Sequence, residues 1–458
     1  MNRMSTLNDL LYSLLERGAR LVDWGGGAKA DERSVDELCM TLLSSKGEAS
    51  GVALAAEILR RFDGFDAEAR LAFFEMLARD LDVDPEAVAQ ATDRYLQNPS
   101  PDALSTLVTA AEPRRQQLLR RLNFAPGGTE ALVRMRAALL SALKEKDDLR
   151  RVDADFQHLL ESWFNRGVLV LRPIDWSTSA HILEKIIAYE AVHEIDSWDE
   201  LRRRLQPADR RCFAFFHPAM PDEPLIFVEV ALTLETAASI QDVLTPSRDI
   251  VAPGDATTAV FYSISNCQAG LKGVSFGAFL IKQVAQDLAR ALPKLTTFVT
   301  LSPVPGLNRW LRGAAKTDPD GPASQALAMT ADLNWPRSTE TAETAKPLIQ
   351  GLAAEYFLEA KRPDGQPLDP VARFHLGNGA SLARINWLAD VSAKGLAQSC
   401  GVMVNYLYEL EQVEAHHEDY AESRMVHSSR SVRALLPPPE RSVLKIKTTE
   451  RQNPEAKT

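Results

Sequence analysis

Hydrophobic residues in the first third of the chain recur at the three- and four-residue spacing of amphipathic helices. The pattern predicts helices over residues 34–44, 51–62, 67–81, 85–96, 101–111, 114–122, 129–141 and 153–164, after a leucine-rich helical stretch over residues 7–15. Asp84-Pro85 and Ser100-Pro101 are typical helix starts, because a capping side chain precedes a proline at the first helical position. No cluster of chemically active side chains accompanies this pattern. We therefore predict an all-helical packing domain over residues 1–165.

The pattern changes near Gly167, where short apolar and β-branched runs begin to alternate with helical stretches. Strands are predicted over residues 168–171, 212–216, 225–232, 259–264, 296–301 and 402–407, and helices over 178–189, 198–205 and 345–360. The proline-rich segment 217–224 is predicted to be a rigid turn, and residues 313–343 a surface excursion of loop with one short helix. The sequence indicates an α+β protein, with a mixed α/β domain over residues 166–436 and a polar, disordered tail over 437–458.

One strand–turn–helix–strand unit, residues 259–301, is the strongest candidate for a binding site. Gly270 and Gly273 lie between its first strand and an amphipathic helix. Glycine lets the backbone approach a ligand closely, and a helix N-terminus offers free N–H groups and partial positive charge to a phosphate. The last strand leads to Ser302 and the non-helical turn 303–306. The apolar face of the helix contains Phe276, Leu280, Val284 and Leu288.

Composition narrows the class of protein. The chain has 458 residues, 45% of them hydrophobic, which is enough for two or three domains with their own cores. A formal net charge of -10 argues against nucleic acid as the main partner, whereas an anionic coenzyme needs only a local positive site. The four cysteines are far apart in the sequence, so neither a zinc site nor a disulfide framework is expected. His416 and His417 are adjacent and cannot both face one site on a strand or a helix, so we expect no metal there. We see no targeting or membrane-spanning segment and expect a cytoplasmic protein.

Candidate chemical groups are few. Ser302 follows a predicted strand, and His375 lies on a short helix that stops at residues 377–379. Each also has an ordinary structural explanation, as a strand-end cap and as a hydrogen-bonding residue at a helix end. His193, in an acidic segment, and His217, at a strand end, are interpreted as structural histidines.

Several segments together resemble the malonyl-CoA decarboxylase family, from about residue 162 to residue 408. They are KIIAYEAVHEI (185–195), HPAMPDEPLIFVEVAL (217–232), SISNCQAGLKGVSFG (263–277), TLSPVPG (300–306), RFHLGNGA (373–380) and GVMVNYLY (401–408). The resemblance implies a second domain with the fold of the GCN5-related N-acetyltransferases and a helical first domain that assembles a homo-oligomer, a dimer or a tetramer. Leu271 stands where acetyltransferases of that fold often have their first glycine, so the geometry of the turn is left open.

The resemblance also implies the site residues. Ser302 falls on the family's catalytic serine, described as proton acceptor, and His375 on its catalytic histidine, described as proton donor. Asn266 and Asn378 are candidates for orienting His375 or the acyl group. The acyl-CoA-binding segment falls on Lys272, Gly273, Val274, Ser275, Phe276, Gly277, Ala278 and Ile281, with Ser302 and His375 completing the substrate contacts.

The expected activity is a carboxy-lyase reaction, malonyl-CoA to acetyl-CoA and CO2. The thioester carbonyl accepts the electrons that CO2 leaves behind, so neither a metal nor an organic cofactor is expected. The alternatives are an acyl-CoA-dependent acyltransferase on the same fold and a non-catalytic acyl-CoA-binding protein. A serine hydrolase is disfavoured, because Ser302 is not in a Gly-x-Ser-x-Gly elbow.

Overall fold

The computed structural model describes residues 32–44, 48–274, 280–438 and 442–444. The chain divides into two compact units. The first contains Met1–Val168 with two short later segments, His217–Pro221 and Gln268–Val274, and the second contains the remainder. The leucine-rich stretch 7–15 and most of the predicted tail lie outside the described residues. The first unit is helical and the second mixed, so the α+β prediction is confirmed.

Helices account for most of the first unit, and their bounds agree closely with the prediction. Asp84 caps its helix by accepting hydrogen bonds from the N–H groups of Glu86 and Ala87, as the Asp-Pro pair indicated. The helices are α1 (Val35–Leu43), α2 (Glu48–Asp63), α3 (Ala67–Arg79), α4 (Pro85–Gln97), α5 (Pro101–Ala111), α6 (Arg114–Leu122), α7 (Gly128–Ala142) and α8 (Arg150–Trp163).

The remaining elements alternate between strands and helices. The strands are β1 (Val170–Ile174), β2 (Arg210–His217), β3 (Met220–Thr233), β4 (Thr258–Asn266), β5 (Thr297–Thr300), β6 (Ser302–Pro303), β7 (Ser381–Asn386) and β8 (Met403–Leu407). The helices are α9 (Ala180–Tyr189), α10 (Trp198–Leu205), α11 (Ile240–Leu244), α12 (Leu280–Ala291), α13 (Leu307–Thr317), α14 (Pro322–Met329), α15 (Thr339–Leu358), α16 (Pro370–Gly377), α17 (Ala393–Ser399), α18 (Val413–Ser423) and α19 (Arg430–Arg433).

The strands form an eight-stranded sheet of order β1-β2-β3-β4-β5-β8-β6, with β7 also on β8. β4 and β5 run parallel, whereas β1–β2, β3–β4 and the pairings of β8 are antiparallel. The parallel pairing ends at Phe261 and Thr300, while β4 continues to Asn266. β4 and β5 therefore separate at the point where Ser302 follows.

A large hydrophobic core covers one face of the sheet, where α12, α13, α15 and α16 contribute side chains. The amphipathic face predicted for α12 is buried at Leu280, Val284 and Leu288. Burying such a stripe removes apolar surface from water, which is the main favourable contribution to folding. Within the described part of the chain, no helix is long and apolar enough to cross a membrane.

The surface excursion predicted over residues 313–343 is wrong. This segment contains the end of α13, all of α14, a 3-10 turn at Trp335–Arg337 and the start of α15. Alanine is the best helix former, and Pro322 occupies the first position of α14, where proline is favourable. Ala314, Ala323, Ala326 and Trp335 are buried in the main core.

The long turn predicted over residues 217–224 is also wrong. β3 begins at Met220, so only Pro218 and Ala219 connect it to β2. The ring of His217 fixes this short turn, because its Nδ1 accepts a hydrogen bond from the N–H of Ala219 at 3.1 Å. Pro221 and Pro224 lie inside β3, where proline is tolerated if its missing N–H is not needed in the ladder.

Several elements near the C-terminus have no counterpart in the prediction, namely β7, α17, α18 and α19. The polar pattern after Glu411 was interpreted as the beginning of a tail. α18 instead buries Val413, His416 and Tyr420 on one face. Its polar remainder faces solvent, so the apolar signal is too sparse to identify the helix from sequence.

Candidate active site

Ser302 lies directly after the point at which β4 and β5 separate. In β6 it pairs with Val404 of β8, and its side chain is buried. Its Oγ donates a hydrogen bond to Oγ1 of Thr300 at 2.8 Å. Thr300 in turn accepts a hydrogen bond from the backbone N–H of Tyr406 at 3.1 Å. The hydroxyl of Ser302 is therefore held in a defined direction by the sheet.

His375 lies in the last turn of α16, the short helix predicted from the sequence. Asp369 starts this helix, since its Oδ1 accepts hydrogen bonds from the N–H groups of Val371 at 2.9 Å and Ala372 at 3.0 Å. Pro370 follows at the first helical position, where its fixed φ suits the helix. The capped helix fixes the position from which the buried ring of His375 projects.

The imidazole of His375 has a partner on each nitrogen. Nε2 lies 3.1 Å from Oγ of Ser302, and Nδ1 lies 2.8 Å from the hydroxyl of Tyr408. The ring also stacks on Tyr406, with centroids 4.5 Å apart and planes 23° apart. The structure thus brings Ser302 and His375 into direct contact. Tyr406, in β8, and Tyr408, just after it, fix the ring.

Burial makes this site electrically neutral. Desolvation lowers the pKa of His375 to about 3 and raises the pKa of Tyr408 well above its ordinary value. Because Ser302 donates to Thr300, a consistent arrangement has His375 Nε2–H donating to Ser302 and Tyr408 donating to Nδ1. Four side chains then form a continuous row of hydrogen bonds. Such a row can move a proton without placing a lasting charge in the interior.

The carboxylate of Asp369 also joins the segments that carry Ser302 and His375. Its Oδ2 lies 3.3 Å from the hydroxyl of Tyr356, and the backbone N–H of Gly306 bonds to the same carboxylate. Gly306 is needed because a Cβ atom there would lie 2.0 Å from the Tyr356 hydroxyl. Burial raises the pKa of Asp369 from its ordinary value. The turn after Ser302 is therefore attached to the start of α16.

The acyl-CoA-binding segment implied by the resemblance is described only in part. Gly273 has φ +82°, a left-handed conformation that glycine adopts without strain, while Lys272 is exposed and Val274 is buried. These three residues belong to the first unit. Ile281, in the second unit, is buried on α12. The positions that lie outside the described residues are Ser275, Phe276, Gly277 and Ala278.

Among the described residues, neither of the two asparagines proposed as orienting residues is hydrogen-bonded to the ring of His375. Asn266 is exposed at the end of β4. Asn378 donates from Nδ2 to the carbonyl of Phe374 at 2.6 Å, within its own helix end. The partner that the structure gives to Nδ1 of His375 is Tyr408.

His217 and His193, the two histidines interpreted as structural, contact other groups. His217 Nε2 lies 3.2 Å from the carbonyl of Trp163, and its ring packs against Phe164. Desolvation lowers the pKa of His193 to about 4, and its backbone N–H donates to Glu190 at 2.8 Å. Neither has a hydrogen bond to Ser302 or His375 among the described residues.

Sequence reasoning missed Thr300, Tyr406, Tyr408 and Asp369. Thr300 and Ser302 are two residues apart, as are Tyr406 and Tyr408, so each pair shares one face of an extended segment. Asp369-Pro370 repeats the Asp-Pro helix start recognised at residue 84. These patterns are visible in the sequence. They indicate which face of a strand or helix a side chain occupies, but not which residue it contacts. Among the described residues no cluster of three or more His, Cys, Asp or Glu side chains could hold a metal ion.

Two protein-family models match successive parts of the chain. Residues 81–164 match the family model for the malonyl-CoA decarboxylase N-terminal domain, and residues 167–446 match the model for its C-terminal domain. The mitochondrial malonyl-CoA decarboxylase of Anser anser anser is 33% identical over 451 residues, covering 90% of this chain and 89% of that protein. The corresponding Rattus norvegicus protein is 32% identical, covering 92% and 93%.

Solved structures agree with the sequence matches. Malonyl-CoA decarboxylase from Rhodopseudomonas palustris superposes with a TM-score of 0.84 at 53% identity, covering 88% of this chain and all of that one. The enzyme from Agrobacterium vitis gives 0.84 at 54% identity with the same coverage. The matched structures are enzymes, and the mixed α/β unit of this chain holds a buried serine–histidine contact. The chain belongs to the malonyl-CoA decarboxylase family.

Proposed function

We propose that this protein is a carboxy-lyase that converts malonyl-CoA to acetyl-CoA and CO2. The observation that carries the proposal is the 3.1 Å contact between Ser302 and His375, in a chain whose relatives are named malonyl-CoA decarboxylases. Breaking the bond between the α-carbon and the carboxylate releases CO2 and leaves two electrons. The thioester carbonyl takes up these electrons as an enolate, and one proton then adds to the α-carbon. The reaction balances without a metal or an organic cofactor.

The side chains around His375 suit this sequence of steps. The neutral imidazole is a hydrogen-bond donor through Nε2, and the hydroxyl of Ser302 lies beside it to orient the carboxylate and pass a proton. Tyr408, on the other nitrogen, replaces the proton that His375 gives up, and a proton taken up from water restores Tyr408, so that each turnover consumes one proton. A neutral, buried site favours decarboxylation because the carboxylate charge is weakly stabilised before reaction, and a donor of this row that turns to the enolate oxygen would stabilise the charge that develops there.

A hydrolase mechanism has less support. In a Ser-His-acid triad a carboxylate orients the imidazole through its second nitrogen. Here that nitrogen faces the hydroxyl of Tyr408, and the nearby carboxylate of Asp369 is occupied by backbone N–H groups and Tyr356. Among the described residues, His375 therefore has no anionic partner that would stabilise an imidazolium during acyl transfer.

The test is to incubate the purified protein with malonyl-CoA, without metal or acceptor, and to follow products by mass spectrometry. We expect equal amounts of acetyl-CoA and CO2, and a turnover by the His375→Ala variant that is lower by about 10²–10⁴-fold. Free CoA that appears only with an added acceptor amine would instead identify an acyltransferase. Intact malonyl-CoA, with binding still measurable by calorimetry, would identify a non-catalytic acyl-CoA-binding protein.

We further propose that the protein is a homo-oligomer, assembled through its helical unit. Apolar side chains lie on the exposed surface of α4 and α5, where Leu96 is 70%, Leu104 46% and Val108 62% exposed. Leu104 and Val108 are four residues apart and share one helix face. Replacing both with glutamate should lower the mass measured by sedimentation. A matched control is Ile250→Glu, which changes a residue of similar exposure in the second unit.

Cellular location and nucleic-acid binding are further proposals. The cytoplasmic location expected from the sequence stays a prediction, since the goose and rat relatives are named as mitochondrial. The acidic formal charge supports a protein that does not use nucleic acid as its main partner. Fractionation of the source cells tests the first proposal, and a binding titration with duplex DNA tests the second.

A further inference from the structure

A buried arginine of the helical unit contacts the glycine turn that precedes α12. Arg136, on α7, is only 1% exposed. Its Nη1 donates a hydrogen bond to the carbonyl of Gly270 at 2.9 Å, although 134 residues separate the two. Its Nε donates to Asp153, in the first turn of α8, at 2.8 Å. One guanidinium therefore links two helices to the turn.

The turn also packs tightly against the same helices. A Cβ atom on Gly270 would lie 1.9 Å from the backbone carbonyl oxygen of Val133, on α7. Only glycine therefore fits at the position where the turn meets this helix. Further along, Nε2 of Gln157, on α8, lies 3.3 Å from the carbonyl of Gly273. Gln268–Val274 accordingly groups with the helices as one compact unit.

The charge of Arg136 is already engaged inside this unit. Asp153 accepts its Nε–H, and Nη1 is directed to a carbonyl, so the guanidinium fixes the backbone of the turn instead of presenting a free cation to solvent. Removing either partner from a buried, hydrogen-bonded pair leaves an unsatisfied polar group, which is costly. The conformation of the turn is therefore tied to the packing of α7 against α8.

We propose that Arg136 is a positioning residue for acyl-CoA binding, through which the helical unit sets the shape of the turn that receives the coenzyme's phosphates. This inference rests on the proposed function, which places acyl-CoA binding on the segment beginning at Lys272. It gives the helical unit a task in substrate binding, in addition to assembly. Arg136 acts through Gly270 and touches no reacting atom.

The experiment measures the Kd for CoA by calorimetry, together with KM and kcat for malonyl-CoA, in Arg136→Met. We expect Kd and KM to rise about tenfold, with kcat at saturation falling much less, because the serine–histidine pair is untouched. Hydrogen exchange of residues 268–274 should become faster. Arg136→Lys keeps the charge but cannot serve both partners, so its Kd should be intermediate.

A matched control is Arg115→Met. Arg115 is another buried arginine of the helical unit, 3% exposed and paired with Asp82 and Asp155, and it has no hydrogen bond to the turn. This variant should lose comparable stability, measured as Tm, and keep the wild-type Kd for CoA. An equal rise of Kd in Arg115→Met would show that any loosening of the helices weakens binding, and would overturn the role assigned to Arg136.

Two further variants keep the inference testable if Arg136→Met fails to fold. Gln157→Ala removes one contact on the partly exposed side of α8, and Gly270→Ala forces the turn away from Val133. Both should raise the Kd for CoA without abolishing kcat. Unchanged Kd in folded Arg136→Lys, Gln157→Ala and Gly270→Ala would overturn this inference alone. Failure of the wild-type protein to bind CoA would overturn the proposed function and the inference with it.

Discussion

The hydroxyl of Tyr408 lies 2.8 Å from Nδ1 of His375, on the side of the ring opposite Ser302. Tyr408→Phe removes this donor and leaves the aromatic ring in place. We expect kcat to fall about tenfold or more, which corresponds to ~1.4 kcal/mol of transition-state stabilisation, with KM nearly unchanged. Steady-state kinetics with malonyl-CoA measure both constants.

Tyr406→Phe is the matched control for this change. Tyr406 stacks on the same imidazole, but its hydroxyl has no hydrogen-bond partner among the described residues. The variant should therefore keep near-wild-type kcat. Equal losses in the two variants would contradict a specific role for the Tyr408 hydroxyl.

The pair itself is tested by Ser302→Ala and His375→Ala. General acid–base groups typically contribute about 10²–10⁴-fold to rate, so we expect kcat losses in that range. Because neither substitution changes a residue of the glycine turn, CoA should still bind with near-wild-type Kd by calorimetry. Full activity in either variant would refute the role assigned to that residue.

The low pKa of His375 predicts a dependence of stability on pH. The folded-state pKa is about 3, whereas an unfolded histidine has a pKa of about 6.5. Between these values the unfolded chain binds a proton that the native chain does not. This group's contribution to stability is complete above about pH 6.5 and is lost as the pH falls toward 3, at about 1.4 kcal/mol per pH unit.

Urea unfolding at about pH 6, 5 and 4 measures this effect. The free energy of unfolding should fall less steeply with decreasing pH in His375→Gln than in the wild type, whatever the absolute stability of the variant. Parallel slopes for the two proteins would show that His375 is not held neutral by burial.

We predict that Asp369 contributes both to the free energy of unfolding and to kcat. Asp369→Ala removes the cap of α16 and should cost about 0.5–2 kcal/mol of unfolding free energy. It should also lower kcat, because the helix that carries His375 loses its attachment to Gly306 and Tyr356. The Tm and kcat of the variant are the quantities to measure.

The control for Asp369→Ala is Asp84→Ala. Asp84 caps α4 through the same Asp-Pro arrangement, with two backbone N–H groups bonded to its carboxylate, but it lies in the helical unit. A similar loss of stability with unchanged kcat is expected. A loss of kcat in Asp84→Ala as large as that in Asp369→Ala would mean that general destabilisation explains both.

Local patterns in the sequence determined much of the secondary structure. The helical bounds 101–111, 114–122 and 198–205 were predicted to the residue, because capping side chains and apolar spacing act within a few residues of each other. The two strands of the strand–turn–helix–strand unit over residues 259–301 followed from short β-branched runs. The prediction failed at 313–343, where α14 and the start of α15 are rich in alanine, pack in the core and show little amphipathic contrast.

For the site, the resemblance to a family indicated Ser302 and His375, and the residues alone left both with ordinary structural explanations. Only the tertiary structure decided that the two meet, that Tyr408 and not Asn378 faces the second nitrogen, and that Arg136 contacts Gly270. These contacts join residues far apart in the chain. The first two depend on how α16 packs on the sheet, and the third depends on how the glycine turn packs on α7. A periodicity of two or of 3.6 residues identifies the face that a side chain takes, but not the residue that lies opposite it.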